Sequence, residues 1–592
     1  MAPPTAITGR RTFLKLSGST GIGLATGASL ATAEADESTS SQPAMYLAHS
    51  PRPAPSTLTP LPPLAAMTLN RAAFGAAPGD IDDFNARGGS DLARLTSWVD
   101  EQLDPQSIDD SSLEARLANP AFRTLNKTLT QLWTEHYLPE NIPWEERVRP
   151  ANEVLFATMT RAIYSKRQLQ EVMVDFWHNH FNVYAYETPN ASVWVHYDRD
   201  VIRPHVLGNF RQMLEANARS TAMLYYLDNV DSSDEGPNEN YARELLELHT
   251  LGAENYLGIM PQWDVPRDAQ GRPIGYVDGD VLEVARCFTG WTVANGHWSD
   301  PNDPNTGEFY YRDFWHDRFQ KYVLGEFIPA DQAALQDGLR VLDKLAEHPG
   351  TATFICRKLI RRLLMDEPTE SLVASAATVF HDNWQAPDQI ALTLRHILLS
   401  TEFRNTWGEK MKRPFETLMG AMRVCDAEIT LHPDDDDSQS LSWLMEKTGQ
   451  HPFSWIPPNG FPDTRQTWQG STPMIMTWRI INWLLRITDA GGNFKLDVLT
   501  RTLNAPEMTD SANHTPRKLA AFWFKHTLGY DPDASQVATA AQMLTHSDAY
   551  DGTPWGLDQP IDLSQDEWPH YWQSGLRTLV ALILMSPDFL QR

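Results

Sequence analysis

Leu169-Gln170-Glu171-Val172-Met173-Val174-Asp175-Phe176-Trp177-His178-Asn179-His180 decides the fold class. Its apolar positions, Leu169, Val172, Met173, Phe176 and Trp177, together with His180, recur at spacings of three and four and share one stripe of a 3.6-residue helix. A strand would scatter the same residues over both faces. The pattern repeats outward. Ile355, Leu359 and Leu363 form a stripe, with Arg357, Arg361 and Arg362 on other faces; Ile390, Leu394, Ile397 and Leu398 form another, and Leu579, Leu582, Ile583 and Met585 a third. From Leu64 onward strand-like alternation is scarce. The expectation is a mainly α, multi-helix body over 63–592 with long Pro-, Gly- and Trp-rich loops near 259–278, 295–330 and 450–472. A short β-hairpin fits the loop-rich middle. Leu398-Leu399-Ser400-Thr401-Glu402-Phe403 is echoed by Leu584-Met585-Ser586-Pro587-Asp588-Phe589, so two helical halves divided near 405 are one organisation the sequence allows. Asp434 to Asp437, after Pro433, reads as a solvated acidic loop rather than a calcium site.

Composition narrows the function classes. Lys and Arg number 49 against 76 Asp and Glu, a formal charge of −27, and phosphate attraction needs clustered cations; a general nucleic-acid binder is excluded. Hydrophobic residues at 42% exclude wholesale disorder. Cys287, Cys356 and Cys425 lie too far apart for a disulfide framework or an all-cysteine metal site.

The N-terminus reads as an address. Gly9-Arg10-Arg11-Thr12-Phe13-Leu14-Lys15 resembles a twin-arginine export signal, followed by a mildly apolar stretch and small-residue cleavage sites near Ala33 and Ala35. The stretch carries too much Gly, Ser and Thr for a stable membrane span. Residues 1–33 are therefore expected to be a signal peptide handled by the twin-arginine machinery, and 34–62 a flexible leader. The mature chain is then periplasmic or extracellular.

Two segments concentrate chemistry. In Trp177-His178-Asn179-His180, residues two apart on a helix point about 200° from each other, so joint metal binding by His178 and His180 requires the helix to end between them. The plainer readings are a core histidine at 180 and a helix-end cation at 178, on the polar face below Glu171 and Asp175. In Pro237-Asn238-Glu239-Asn240-Tyr241-Ala242-Arg243-Glu244-Leu245-Leu246-Glu247-Leu248-His249-Thr250-Leu251-Gly252, Pro237 and Asn238 suit a helix start and Gly252 its stop. Glu244 and Glu247 share one polar stripe bordered by Arg243, while His249 falls with the apolar set. Paired carboxylates beside an arginine serve as metal ligands or as an acid and base with separated pKa values. The plainer reading is an exposed helix laced by Glu239–Arg243 and Arg243–Glu247 pairs.

Phe176 to Phe181, Pro237 to Leu245, Ala285-Arg286-Cys287-Phe288-Thr289-Gly290-Trp291, Trp315-His316-Asp317, Lys412-Arg413-Pro414 and, upstream, Leu69 to Gly75 occur in one chain. Together they resemble the bacterial family catalogued as domain of unknown function 1800, over roughly 66–590. The resemblance implies export and, often, a co-encoded exported partner related to sulfatases and alkaline phosphatases; it brings no reaction. Asp175 and Cys287 depart from the family pattern, which argues against a shared role for either. No His-Glu-x-x-His helix, Gly-x-Ser-x-Gly elbow or phosphate-binding glycine loop is present.

Two function classes follow. One is a metal-assisted hydrolase or lyase acting on an envelope or extracellular polymer, with Glu244, Glu247 and Arg243 as catalytic residues. His178, His180, His316 and Asp317 would then hold a divalent metal (zinc, manganese or iron), all lining one polar cleft. The other is a non-catalytic helical binding or scaffold partner of the sulfatase-like protein.

Overall fold

Leu169, Val172, Met173, Phe176, Trp177 and His180 are all buried along a helix from Gln168 to His180, as their spacing requires. The computed structural model describes residues 61–489, 492–545, 554–567 and 570–592. The export signal at 1–33 and all but the last two residues of the leader lie outside the described residues. Pro60–Arg592 is one compact unit. The body is mainly helical. Pro349–Leu363 packs on Glu370–Asp382, which packs on Gln389–Leu398; short connections make such neighbours antiparallel. The stripe expected near the end is shifted: on Trp572–Leu584, Leu576, Leu579, Val580 and Ile583 face the core and Leu582 faces out. Among the described residues no helix is long and apolar enough to cross a membrane.

Among the described residues β-structure is limited to three two-stranded antiparallel pairs. Two fall in the loop-rich middle, Trp291–Val293 with Phe309–Tyr311 and Lys321–Val323 with Glu326–Ile328. The second is closed by Leu324 and Gly325, both at positive φ (46° and 76°), as a two-residue turn matched to strand twist demands. The echoed Ser400 and Ser586 segments share one device. Each serine hydroxyl accepts the N–H three residues on, from Phe403 (3.1 Å) and Phe589 (3.3 Å), and starts a short helix that buries that phenylalanine. The acidic run at 434–437 is not a free loop: Asp435 caps the Asp436–Glu446 helix, and Asp434 takes both arms of the buried Arg149. Long-range cations drew it into structure.

The most unusual interior feature is a knot of charge. Pro414 begins a wholly buried helix, Pro414–Val424, and the N–H of Arg413 donates to Glu416 (3.0 Å) as half of a capping box. Glu416 also pairs with Arg362 (2.9 Å), Arg592 (2.7 Å) and the Arg413 side chain (3.2 Å). Arg362 and Arg413 both reach Asp175, and Lys410 joins Asp463 (2.8 Å) and Asp366 (3.3 Å). Lys412-Arg413-Pro414 is thus a fastening between the Gln168–His180 helix, the Pro349–Leu363 helix and the last residues. Asp175, set aside in the sequence reading, is one of its anchors.

The loop before Asp463 is pinned by the histidine segment. Asn179 donates to the Phe461 carbonyl (3.0 Å) and accepts its N–H (2.7 Å), while Asn182 donates to the carbonyls of Trp455 and Pro457. Gly460 sits at φ 71°, and a side chain there would strike the Asn179 carbonyl. Replacing Asn179 with alanine should cost about 1–3 kcal/mol, because two groups of the Phe461 backbone lose their partner. Hydrogen exchange should show faster exchange at Phe461 with the helix interior unchanged; an unchanged Phe461 amide would refute this.

Candidate functional site

Asn238 starts the carboxylate helix as expected: its side-chain oxygen accepts the N–H groups of Asn240 (2.7 Å) and Tyr241 (3.2 Å). Gly252, at φ 89°, ends it. Between them the helix changes pitch. Glu239–Glu244 is α-helical, whereas Leu245–Thr250 is a π-turn, with the Leu251 N–H reaching back five residues to the Leu246 carbonyl (2.9 Å). Such widened turns are frequent at functional sites, and the described residues hold two others, at Trp133–Tyr137 and Tyr197–Ile202.

Glu244, on this helix, is 6% exposed and Glu247 is half-buried. Among the described residues neither carboxylate receives a hydrogen bond or an ion pair. Burial first, and then the charge of Glu247, push the Glu244 carboxyl up to about 7; Arg243 only partly opposes this. The lacing of Arg243 to Glu247 that spacing allowed is not formed. Arg243 turns instead toward Asp278 (3.5 Å) and, more distantly, Glu239 (3.9 Å). Asp278 also accepts from the Tyr256 hydroxyl (2.7 Å).

Tyr276 completes this group and was not visible in the sequence reading, which left it inside a loop. Backbone bonds from Leu257 to the Tyr276 carbonyl (2.8 Å) and from Tyr276 to the Asn255 carbonyl (3.0 Å) fix it. It is fully buried, and its hydroxyl has no hydrogen-bond partner. Burial raises its ionisation well above normal, with Glu247 the next contributor and Glu244 a lesser one.

His316 and Asp317 belong to a different, closed network. The Trp315 carbonyl accepts from Asp234 (2.8 Å), which sets this loop beside the start of the carboxylate helix. His316 uses Nδ1 on the Thr289 carbonyl (2.9 Å) and Nε2 on Asp337 (3.1 Å). Asp317 receives Arg286 through two bonds of 2.7 and 3.1 Å. Buried Lys321 donates to Asp337 (2.6 Å). Burial works to raise the Asp337 carboxyl, yet the bonds from His316 and Lys321 hold it below the usual range. The conspicuous Ala285–Trp291 segment supplies Arg286 and Thr289 to this network, and Cys287 is a buried thiol pushed well up by desolvation.

The two histidines of the first segment part company as their helical spacing requires. His178 Nε2 donates to Asp198 (2.9 Å), and Arg203 bridges Asp198 (2.8 Å) and Glu171 (3.0 Å to each oxygen). The polar face of this helix is thus buried, made tolerable by a cation arriving from another element. Although burial works to raise the Asp198 carboxyl, Arg203, His178 and Arg161 hold it far below the usual carboxylate range. His180 turns the other way: its Nε2 donates to the His249 carbonyl (3.1 Å), which leaves Nδ1 without a proton or a partner.

The residues expected to bind a metal do not fit one. His316 has both ring nitrogens facing acceptors, Asp317 is filled by Arg286, and His178 and His180 serve separate partners. Among the described residues no three His, Cys, Asp or Glu side chains are arranged to hold an ion. The catalytic trio is brought together only in part: the charges of Glu244 and Glu247 act on one another, whereas Arg243 is drawn to Asp278 and Glu239.

A family model described as Protein of unknown function (DUF1800) matches residues 67–591. No curated protein and no solved structure matches the chain.

Proposed function

The chain belongs to this family over nearly its whole length, and from that footing we propose that it is an exported hydrolase or lyase acting on an envelope or extracellular polymer. The observation that carries the reading is Glu244, a buried carboxyl free of donors and raised to about 7 beside a second carboxylate. A group poised there is half protonated at neutral pH and can hand a proton to a leaving oxygen. Glu247 is then the base, taking a proton from water in hydrolysis or from a substrate carbon in elimination. Arg243, half-buried and steadied by Asp278, presents a cation on the same helix. Exposed Ile259 and Trp263 lie in the loop whose Gly258 carbonyl accepts from Asp278 (3.3 Å). Broad apolar faces of this kind suit a sugar ring. No step is routed through a metal, since the donors do not converge.

The same exposed apolar side chains favour a second reading, a non-catalytic partner of the sulfatase-like exported protein. The test is the release of reducing ends or unsaturated products from envelope polymers by natively exported protein, set against Glu244→Gln. Turnover that Glu244→Gln leaves intact would sink the first reading. No turnover together with a tight stoichiometric complex would establish the second.

Export by the twin-arginine route is part of the proposal and rests on Arg10-Arg11 and the weakly apolar stretch behind them. Changing both arginines to lysine should trap precursor in the cytoplasm. Undiminished mature protein outside the inner membrane would show that the segment is not such a signal.

A further inference from the structure

Lys358 is half-buried and, like the fully buried Lys412, lacks a polar partner among the described residues. Arg362, Arg413 and Lys410 each bond carboxylates, whereas Lys358 makes no hydrogen bond or ion pair among the described residues. Its ammonium lies over the Phe354 ring, 5.3 Å from the centroid. The Phe354 ring stands 6.2 Å from the His180 ring, and His180 stands 6.2 Å from His249. His249, on the π-turn, is fully buried with neither ring nitrogen partnered, and the bare Nδ1 of His180 is buried and unpartnered as well. Three unpartnered nitrogens on two buried rings are costly unless something uses them. Three of the segments singled out in the sequence meet here: the end of the Gln168–His180 helix, the π-turn, and the loop that leads to Asp463.

We propose that Lys358 is a carbonyl-capturing amine, which condenses with a small aldehyde or ketone to form an imine, with His180 and His249 moving the protons. The ammonium first loses a proton to water, which leaves the free amine. The freed nitrogen lone pair attacks the carbonyl carbon, and the C=O π pair moves to oxygen. The imidazoles relay both amine protons in turn to that oxygen, which departs as water while the nitrogen lone pair closes C=N. Amine plus carbonyl thus gives imine plus water, with no oxidant or reductant.

The electrostatics agree with the geometry. Burial first, and Arg361 on the same helix, lower the Lys358 amine to about 8, against opposition from Asp463 and Glu254. Burial and then Lys358 itself hold His180 well below its ordinary value and His249 down to about 3, so both rings are neutral and pass a proton on rather than keep it. At pH 7 an amine of pKa about 8 is roughly 10% free base, against less than about 0.1% for an ordinary lysine. Desolvated lysines beside other cations are the ones that form Schiff bases. This inference does not rest on the Glu244–Glu247 chemistry.

The test treats the full mature protein with glycolaldehyde and cyanoborohydride at pH 7 and maps the reduced adducts by peptide mass spectrometry. Lys358 should be labelled at least about tenfold faster than the exposed Lys447 and Lys525, and its labelling rate should rise with a midpoint near pH 8. Lys358→Arg should remove the fast adduct and leave the slow ones. Labelling of Lys358 no faster than the exposed lysines would overturn the proposal. That comparison is internal to the wild-type chain, so it decides the question even where the variant fails to fold.

Discussion

Replacing Glu244 with glutamine is expected to lower polymer turnover by about 10²–10⁴-fold, the range for loss of a positioned general acid or base. Wild-type turnover should also fall as pH rises through about 7, when Glu244 gives up its proton. Wild-type stability should fall with rising pH as well. The folded carboxyl titrates near 7 and the unfolded one near 4.5, so the folded chain binds more protons between these values and loses stability as pH rises through that window. A shift of that size corresponds to roughly 3 kcal/mol. The neutral amide escapes the penalty, so at pH 8 the variant should be the more stable protein by about 1–3 kcal/mol, with no gain at pH 4.5. Denaturant melts at the two pH values would show it. Equal stability shifts at both would mean that Glu244 is an ordinary carboxylate in the folded chain.

Glu416→Gln should be the most damaging single change in the interior. It removes the carboxylate facing Arg362, Arg413 and Arg592, three guanidinium groups that are each about 1–2% exposed. Uncompensated buried charge costs about 3–5 kcal/mol, a large part of the stability of a typical domain. The same arrangement sets acid sensitivity. Against burial, Arg362, Arg592 and Arg413 hold Glu416 well below its ordinary value, and cations hold Asp198 and Asp463 far below theirs. Stability from depressed carboxyls is complete above their unfolded pKa, near 4, and is lost as pH falls further. Unfolding should therefore set in below about pH 4, and Glu416→Gln should weaken that acid dependence. A variant that melts with the wild type would show the knot to be dispensable.

What could be read from the sequence was local. The apolar stripe over 169–180, the Asn238 start and Gly252 stop, and the adjacency of Glu244 and Glu247 all follow from periodicity and backbone chemistry. The partners do not. Asp198 for His178, Asp337 for His316, Tyr276 for the carboxylates and Asp463 near Lys358 come from segments with no pattern linking them. A pairing across 20 residues or more leaves no mark in a helical window. That is why the buried partners of the Gln168–His180 helix were not foreseen, and why the four expected metal ligands are divided among three networks. The acidic run at 434–437 misled for the same reason, since Arg149 lies almost three hundred residues away.

The π-turn at 245–250 has a bearing on how related chains can vary. Each residue in it advances by less than the α-helical 100°, so Glu244 and His249, five apart, come nearer to one side than an unbroken α-helix would bring them. What must be kept is therefore a count, and not only a set of letters. Deleting one residue within 245–250 would let the segment relax to ordinary pitch while leaving every named side chain present, and it would turn His249 out of phase with His180. In a comparison of relatives, gaps should be scarcer inside this turn than substitutions, the reverse of what is ordinary for a surface helix.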